Sequence, residues 1–146
     1  MSGYRGRIVI VNFWSAECAY SVRTDGLLSK WLTGWGSDVV VLAVAMNRNE
    51  SAEMVKEAAT ARGIPTVLND AKLVVTDRYG VEITPHVHVV DHEGILRYRG
   101  AVDDVTFRQR VATRFFLEEA VEALLASKRL EINETLAYGC AIVREI

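Results

Sequence analysis

Apolar positions along the chain follow two rhythms. Arg7 to Trp14 (RIVIVNFW) and Asp38 to Met46 (DVVVLAVAM) are near-continuous runs of β-branched, aliphatic and aromatic residues, as strands buried on both faces require. Between them, Val22, Leu27, Leu28, Trp31, Leu32 and Trp35 recur mostly at three- and four-residue steps. That spacing predicts a helix opening at Cys18 and ended by Gly34 and Gly36. Asn49-Glu50-Ser51 predicts the start of a second helix through Ala61, closed by Gly63 and Pro65. Val67-Leu68 suits a short strand, and Ala71 to Tyr79 a short helix stopped at Gly80. His86 to Asp91 (HVHVVD), the turn His92-Glu93-Gly94 and Ile95 to Tyr98 predict a β-hairpin. A helix is expected from about Val105 to Ser127, with Phe107, Val111, Phe115, Val121, Leu124 and Leu125 on its apolar side. Asp103-Asp104 would cap its start. Lys128 to Ile146 has no strong period.

Strand-helix alternation implies right-handed crossovers and a parallel core, to which the hairpin adds antiparallel strands. The expected fold class is α/β, a central mixed β-sheet flanked by helices and followed by a C-terminal tail. Residues 1–127 are expected to form one domain. Residues 128–146, carrying Cys140, are expected as a tail packed on it.

Composition adds boundaries. With 146 residues, 50% hydrophobic and 25% charged, the chain suits one globular domain. Lys and Arg number 17 against 19 Asp and Glu, a net charge of -2. No basic field exists for nonspecific nucleic-acid binding, so nucleic acid is not an expected partner. No apolar run approaches the roughly 20 residues of a membrane span, so no membrane partner is expected. Met1-Ser2-Gly3-Tyr4-Arg5 lacks the apolar core of a signal peptide, and a cytoplasmic location is expected.

Two cysteines, Cys18 and Cys140, are too few for a disulfide scaffold or an all-cysteine zinc site. Cys18 follows a buried strand and opens a helix, where unpaired N–H groups and the helix dipole favour negative charge. A thiol there ionises below its ordinary value of about 8.5, and the thiolate is the nucleophile. The plainer alternative is an inert, packed thiol. Glu17 beside it would oppose ionisation. His86 and His88 share one strand face. With His92 and Cys18 they offer metal-ligating groups, but no second ligand cluster accompanies them, and no metal is expected.

Phe13-Trp14-Ser15-Ala16-Glu17-Cys18-Ala19-Tyr20-Ser21 after an apolar strand resembles the active-site segment of the thioredoxin-like superfamily. Thr84-Pro85, followed by a strand ending at Asp91-His92-Glu93-Gly94, resembles its cis-proline region. Tyr4-Arg5-Gly6-Arg7 is similar to the lead-in of TlpA-like and AhpC/TSA-related proteins. With Thr84-Pro85-His86, Arg97 to Gly100 and Tyr138-Gly139-Cys140 in that order, nearly the whole chain resembles the peroxiredoxin-like redoxins. The resemblance implies a thioredoxin-like fold and a thiol-dependent oxidoreductase without organic cofactor, acting by thiol–disulfide exchange or sulfenate reduction.

In that likeness Cys18 is the nucleophile, and Ser21 hydrogen-bonds its thiolate. Thr84 and Pro85 position an extended partner, and His86 tunes Cys18 or moves a proton. Trp14 and Ser15 line the site, with core or rim packing as the alternative for Trp14. Cys140 is the candidate resolving thiol, with pairing to another chain or an unpaired thiol as the alternatives. The implied partner is a protein or small-molecule disulfide or thiol, with peroxide as a further substrate class. The chain also departs from the pattern. Ser21 stands where thioredoxin-type sites carry a second cysteine, so no disulfide can form between near neighbours. Val11 stands in place of the peroxiredoxin proline, and the peroxiredoxin arginine, expected near Pro85, is missing. Arg23, Arg97 and Arg99 are the candidates to replace that arginine. A peroxide reductase and a redox-inactive binding module are therefore the two alternative functions.

Overall fold

Strand β1 (Ile8–Trp14) is buried at every position. The computed structural model describes residues 2–145 and places β1 at the centre of a five-stranded sheet. The sheet order is β3-β2-β1-β5-β6. β2 (Val39–Ala45) and β3 (Val67–Asn69) run parallel to β1 on one side. On the other side β5 (His86–Val90) pairs antiparallel with β1, and β6 (Leu96–Gly100) antiparallel with β5. The register sets Asn12 beside Ala43 and Phe13 beside His86.

Because side chains alternate along a strand, β1 feeds two cores. Ile8 and Ile10 pack with Leu28, Trp31 and Trp35 of α1 (Ala19–Trp35) and with Leu117 and Val121 of α4 (Phe116–Leu125). Trp14 joins Ala43, Ala45 and Val55, the last from α2 (Ala52–Ala61). On the opposite face Val9, Val11 and Phe13 meet Leu42, Val44, Val81 and Tyr79, with Ile142 of the tail packed against them. Ser51 caps α2 by accepting the Met54 N–H at 3.1 Å.

The helix expected over 105–127 is realised only from Phe116. Residues 105–115 form a loop tied by polar side chains. The Asp104 carboxylate accepts the N–H and the hydroxyl of Thr113, and Thr106 and Gln109 bond each other's backbone. Asp and Thr side chains offer the backbone an alternative to helical bonds, and here they win. Phe107 and Val111, expected on an apolar face, are 62% and 77% exposed. Asp103 does not serve as part of a helix-capping pair, since its carboxylate takes the Arg23 guanidinium at 2.6 Å. The helix expected over 71–79 shortens to α3 (Val74–Arg78). Asp70 caps it from outside, accepting the N–H and hydroxyl of Thr76 at 2.7 Å each.

The aperiodic tail takes a definite course. Thr135 bonds the Arg99 carbonyl, the Ala101 N–H and the Tyr98 hydroxyl, fastening the chain beside β6. Further on, β7 (Cys140–Ala141) pairs antiparallel with β4 (Ile83–Thr84), making a second, two-stranded sheet.

Candidate active site

Two segments far apart in sequence meet at the C-terminal end of β1. Cys18 occupies the N-cap of α1 in extended conformation, and its carbonyl accepts the Val22 N–H. No side chain caps the helix, so its first N–H groups have no side-chain acceptor. Cys18 is bonded to Cys140, with S–S 2.24 Å and Cα atoms 6.2 Å apart. The Cys18 sulfur lies 3.5 Å from the Thr84 carbonyl oxygen, and Cys18 is only 3% exposed.

Thr84 and Pro85 form the opposite wall, and the bond between them is cis. Thr84 is fully buried and pairs with Cys140 across the β4–β7 ladder. Gly139 lies against this wall so closely that a β-carbon would sit 2.1 Å from the Thr84 carbonyl oxygen and 2.9 Å from the proline ring. Only a residue without a side chain allows that approach. Tyr138 packs edge-on against Tyr20 with ring centroids 5.2 Å apart, and its hydroxyl accepts the Phe107 N–H at 2.9 Å. Beyond the cysteine, Ile142 donates to the Glu82 carbonyl, and Val143 is held by Arg48 and the Asn47 side chain.

The loop that delivers Cys18 is clamped from two directions. Glu50 accepts the Ser15 hydroxyl at 2.5 Å, the Ala16 N–H at 2.9 Å and the Glu17 N–H at 3.2 Å. Arg62 donates to the Ser15 and Ala16 carbonyls and to Asp25 at 3.1 Å, and its guanidinium lies over the Trp14 ring. Asp25 also accepts the Trp14 indole N–H at 2.7 Å. Burial pushes the Asp25 carboxyl above its ordinary pKa, against the opposing pull of Trp14 and Arg62. Glu50 is 8% exposed, so these bonds replace water that it cannot reach.

Several expected site residues hold other positions. Ser21 is fully buried, and its hydroxyl accepts the Ser15 N–H at 3.2 Å. Ser15 turns inward to Glu50. Trp14 is a core residue. His86 stacks on His88 with centroids 4.6 Å apart, and among the described residues no hydrogen bond joins it to either cysteine. Burial and the Arg99 charge lower its pKa. His88 is 1% exposed between Phe13 and Tyr79, and neither ring nitrogen has a partner among the described residues. Burial, then His86 and Arg99, pushes its pKa down to about 3. The three arginines considered for the missing one are all paired, Arg23 with Asp103, Arg97 with Asp91 and Arg99 with Glu134. Among the described residues no three His, Cys, Asp or Glu side chains converge on a metal position. None of their helices is long and apolar enough to cross a membrane.

A cysteine at a helix N-cap facing a cis-proline, on a mixed sheet of this order, defines a thioredoxin-like protein. A hypothetical protein from Sinorhizobium meliloti is 28% identical with a TM-score of 0.84, over 97% of this chain and 81% of its own. An uncharacterized conserved protein from Geobacillus kaustophilus is 21% identical with a TM-score of 0.87, over 97% and 79%. A secreted Mycobacterium tuberculosis disulfide oxidoreductase shares the fold at 19% identity and a TM-score of 0.57, over 65% and 69%. Residues 1–99 match the AhpC/TSA family, and the chain belongs to that family. The match ends before the tail, so Cys140 lies outside it. Among curated proteins none matches significantly.

Proposed function

We propose that the chain is a thiol–disulfide oxidoreductase in which Cys18 is the nucleophile and Cys140 the resolving thiol. The Cys18–Cys140 disulfide, closed at an uncapped helix N-terminus, carries this reading. In the reduced protein the helix N-terminus stabilises the Cys18 thiolate. That thiolate attacks one sulfur of a partner disulfide, forming a mixed disulfide and releasing the other sulfur as a thiolate. Cys140, as thiolate, then attacks the Cys18 sulfur. The internal disulfide reforms and the second partner thiolate leaves, so the partner gains two electrons and the cysteine pair loses two. Thr84 and Pro85 hold the incoming sulfur's chain, while Ser15 and Ser21 keep the loop in place.

Family membership favours peroxide as a second oxidant. Cys18 thiolate would attack the O–O bond, giving a sulfenic acid and releasing one oxygen as water after protonation. Cys140 would displace the second oxygen as water and close the same disulfide. A cytoplasmic setting suits both reactions, since disulfides there are mostly transient and catalytic.

The experiment is mass mapping of thiols in reduced protein after a disulfide or mild peroxide is added. The wild type is expected to return to Cys18–Cys140. Cys140→Ser should stop at a mixed disulfide or sulfenate on Cys18, and Cys18→Ser should not react. Undiminished activity in Cys18→Ser would sink the proposal.

A further inference from the structure

The tail does more than bring a sulfur to Cys18. It lies along Thr84 as a strand, with Cys140 opposite Thr84, Ala141 opposite Ile83 and the Ile142 N–H on the Glu82 carbonyl. Three of its features exceed what closing a disulfide requires. Gly139 fits a place on the Thr84 carbonyl where no β-carbon has room. Tyr138 fills a slot beside Tyr20, where the remaining crevice between Pro85, Val102 and Val105 is about 10 Å³, space for about one water. Val143 is gripped on both backbone polar groups, its N–H by Asn47 and its carbonyl by Arg48.

We infer that the tail is a resident stand-in for substrate, and that the reduced protein accepts extended polypeptide segments carrying aromatic–Gly–Cys in exchange for it. This inference rests on the reading of Cys18 as the nucleophile. A strand added to β4 draws its affinity from backbone hydrogen bonds, and its selectivity comes from what each position admits. The position before the cysteine admits glycine, and the one before that an aromatic ring. Tail and substrate need the same edge, so they exclude one another. When Cys140 attacks the mixed disulfide, the tail re-pairs with Thr84 as the product strand leaves, and the sulfur and the strand are exchanged at one place. No co-reactant beyond the partner disulfide is needed.

The test uses full-length Cys140→Ser and an eight-residue peptide, Leu-Ala-Tyr-Gly-Cys-Ala-Ile-Val, with thionitrobenzoate disulfide-bonded to its cysteine. Attack by Cys18 forms the protein–peptide disulfide and releases the coloured aryl thiolate. Two further peptides carry Ala in place of Gly or of Tyr, and a glutathione thionitrobenzoate disulfide serves as the unspecific probe. The parent peptide is expected to react at least about tenfold faster than either Ala peptide, a difference of about 1.4 kcal/mol. Adding Gly139→Val to the protein removes the competing tail, and the parent peptide should then react several-fold faster. Equal rates for the three peptides, with the glutathione probe still reacting, overturn this inference and leave the nucleophile standing. No release from any probe overturns both.

Discussion

Gly139 rests on the carbonyl oxygen of Thr84 at a distance that excludes a methyl group, and the next residue carries the sulfur bonded to Cys18. The β4–β7 pairing therefore depends on a hydrogen atom at that α-carbon. Gly139→Ala must push β7 away from β4, which weakens the oxidised state relative to the dithiol. The oxidation equilibrium should fall about tenfold, raising the midpoint potential by about 30 mV. Titration in dithiol buffers, read by thiol mass mapping, checks this, and an unchanged midpoint contradicts it.

Glu50 gathers the donors of the Cys18 loop, so its removal leaves two N–H groups and a buried hydroxyl unpaired. Glu50→Ala should cost about 2–3 kcal/mol of unfolding free energy. Glu50→Gln retains a carbonyl acceptor and should cost less. Chemical denaturation gives both values, and thiol exchange at Cys18 should slow in the same order as the loop loosens.

The buried His88 makes stability depend on acidity. Its folded pKa of about 3 lies below the unfolded value of about 6.5, so the unfolded chain binds the extra proton between those limits. The contribution is complete above pH 6.5 and is lost as pH falls toward 3, at up to about 1.4 kcal/mol per pH unit. His86, lowered in the same direction, adds to it. Asp25, raised by burial, works in the opposite sense in the acid range. His88→Leu removes one proton from the balance. Unfolding curves of the two proteins should therefore differ in slope below pH 6.5 and run parallel above it.

Arg62 is the ion partner of buried Asp25 as well as the donor to the loop carbonyls. Arg62→Ala strands that carboxylate and should destabilise by roughly 3 kcal/mol, the low end for a broken buried pair because Arg62 retains some exposure. Asp25→Asn in the same chain should recover part of the loss. Denaturation of the single and double variants decides between this and a purely local effect.

Strands β1, β2, β5 and β6 were legible because unbroken apolar runs and a turn-bounded hairpin leave few alternatives. Cys18 at a helix start followed from the break at Ser15-Ala16-Glu17. The loop over 105–115 was not legible, since Phe107 and Val111 keep helical spacing while Asp104 and Thr113 spend their polar groups on the backbone instead. The hold of Glu50 and Arg62 on the Cys18 loop is not legible for a related reason. Each flanks α2, where a charge reads as ordinary helix-end chemistry, and only tertiary folding brings both to the Cys18 loop. The β4–β7 pair is too short to leave a period. Its sequence marks are Thr84-Pro85 and Tyr138-Gly139-Cys140, and the meaning of Gly139 depends on Thr84 lying beneath it.

The Cys18–Cys140 bond spans 122 positions and so ties most of the molecule into one ring. A ring of that size removes about 5 kcal/mol of freedom from the denatured ensemble in the chain-entropy view. Electron transfer at this single bond thus also sets how readily the whole molecule comes apart. A cell holding it reduced holds a protein that is ready for work and easier to dismantle.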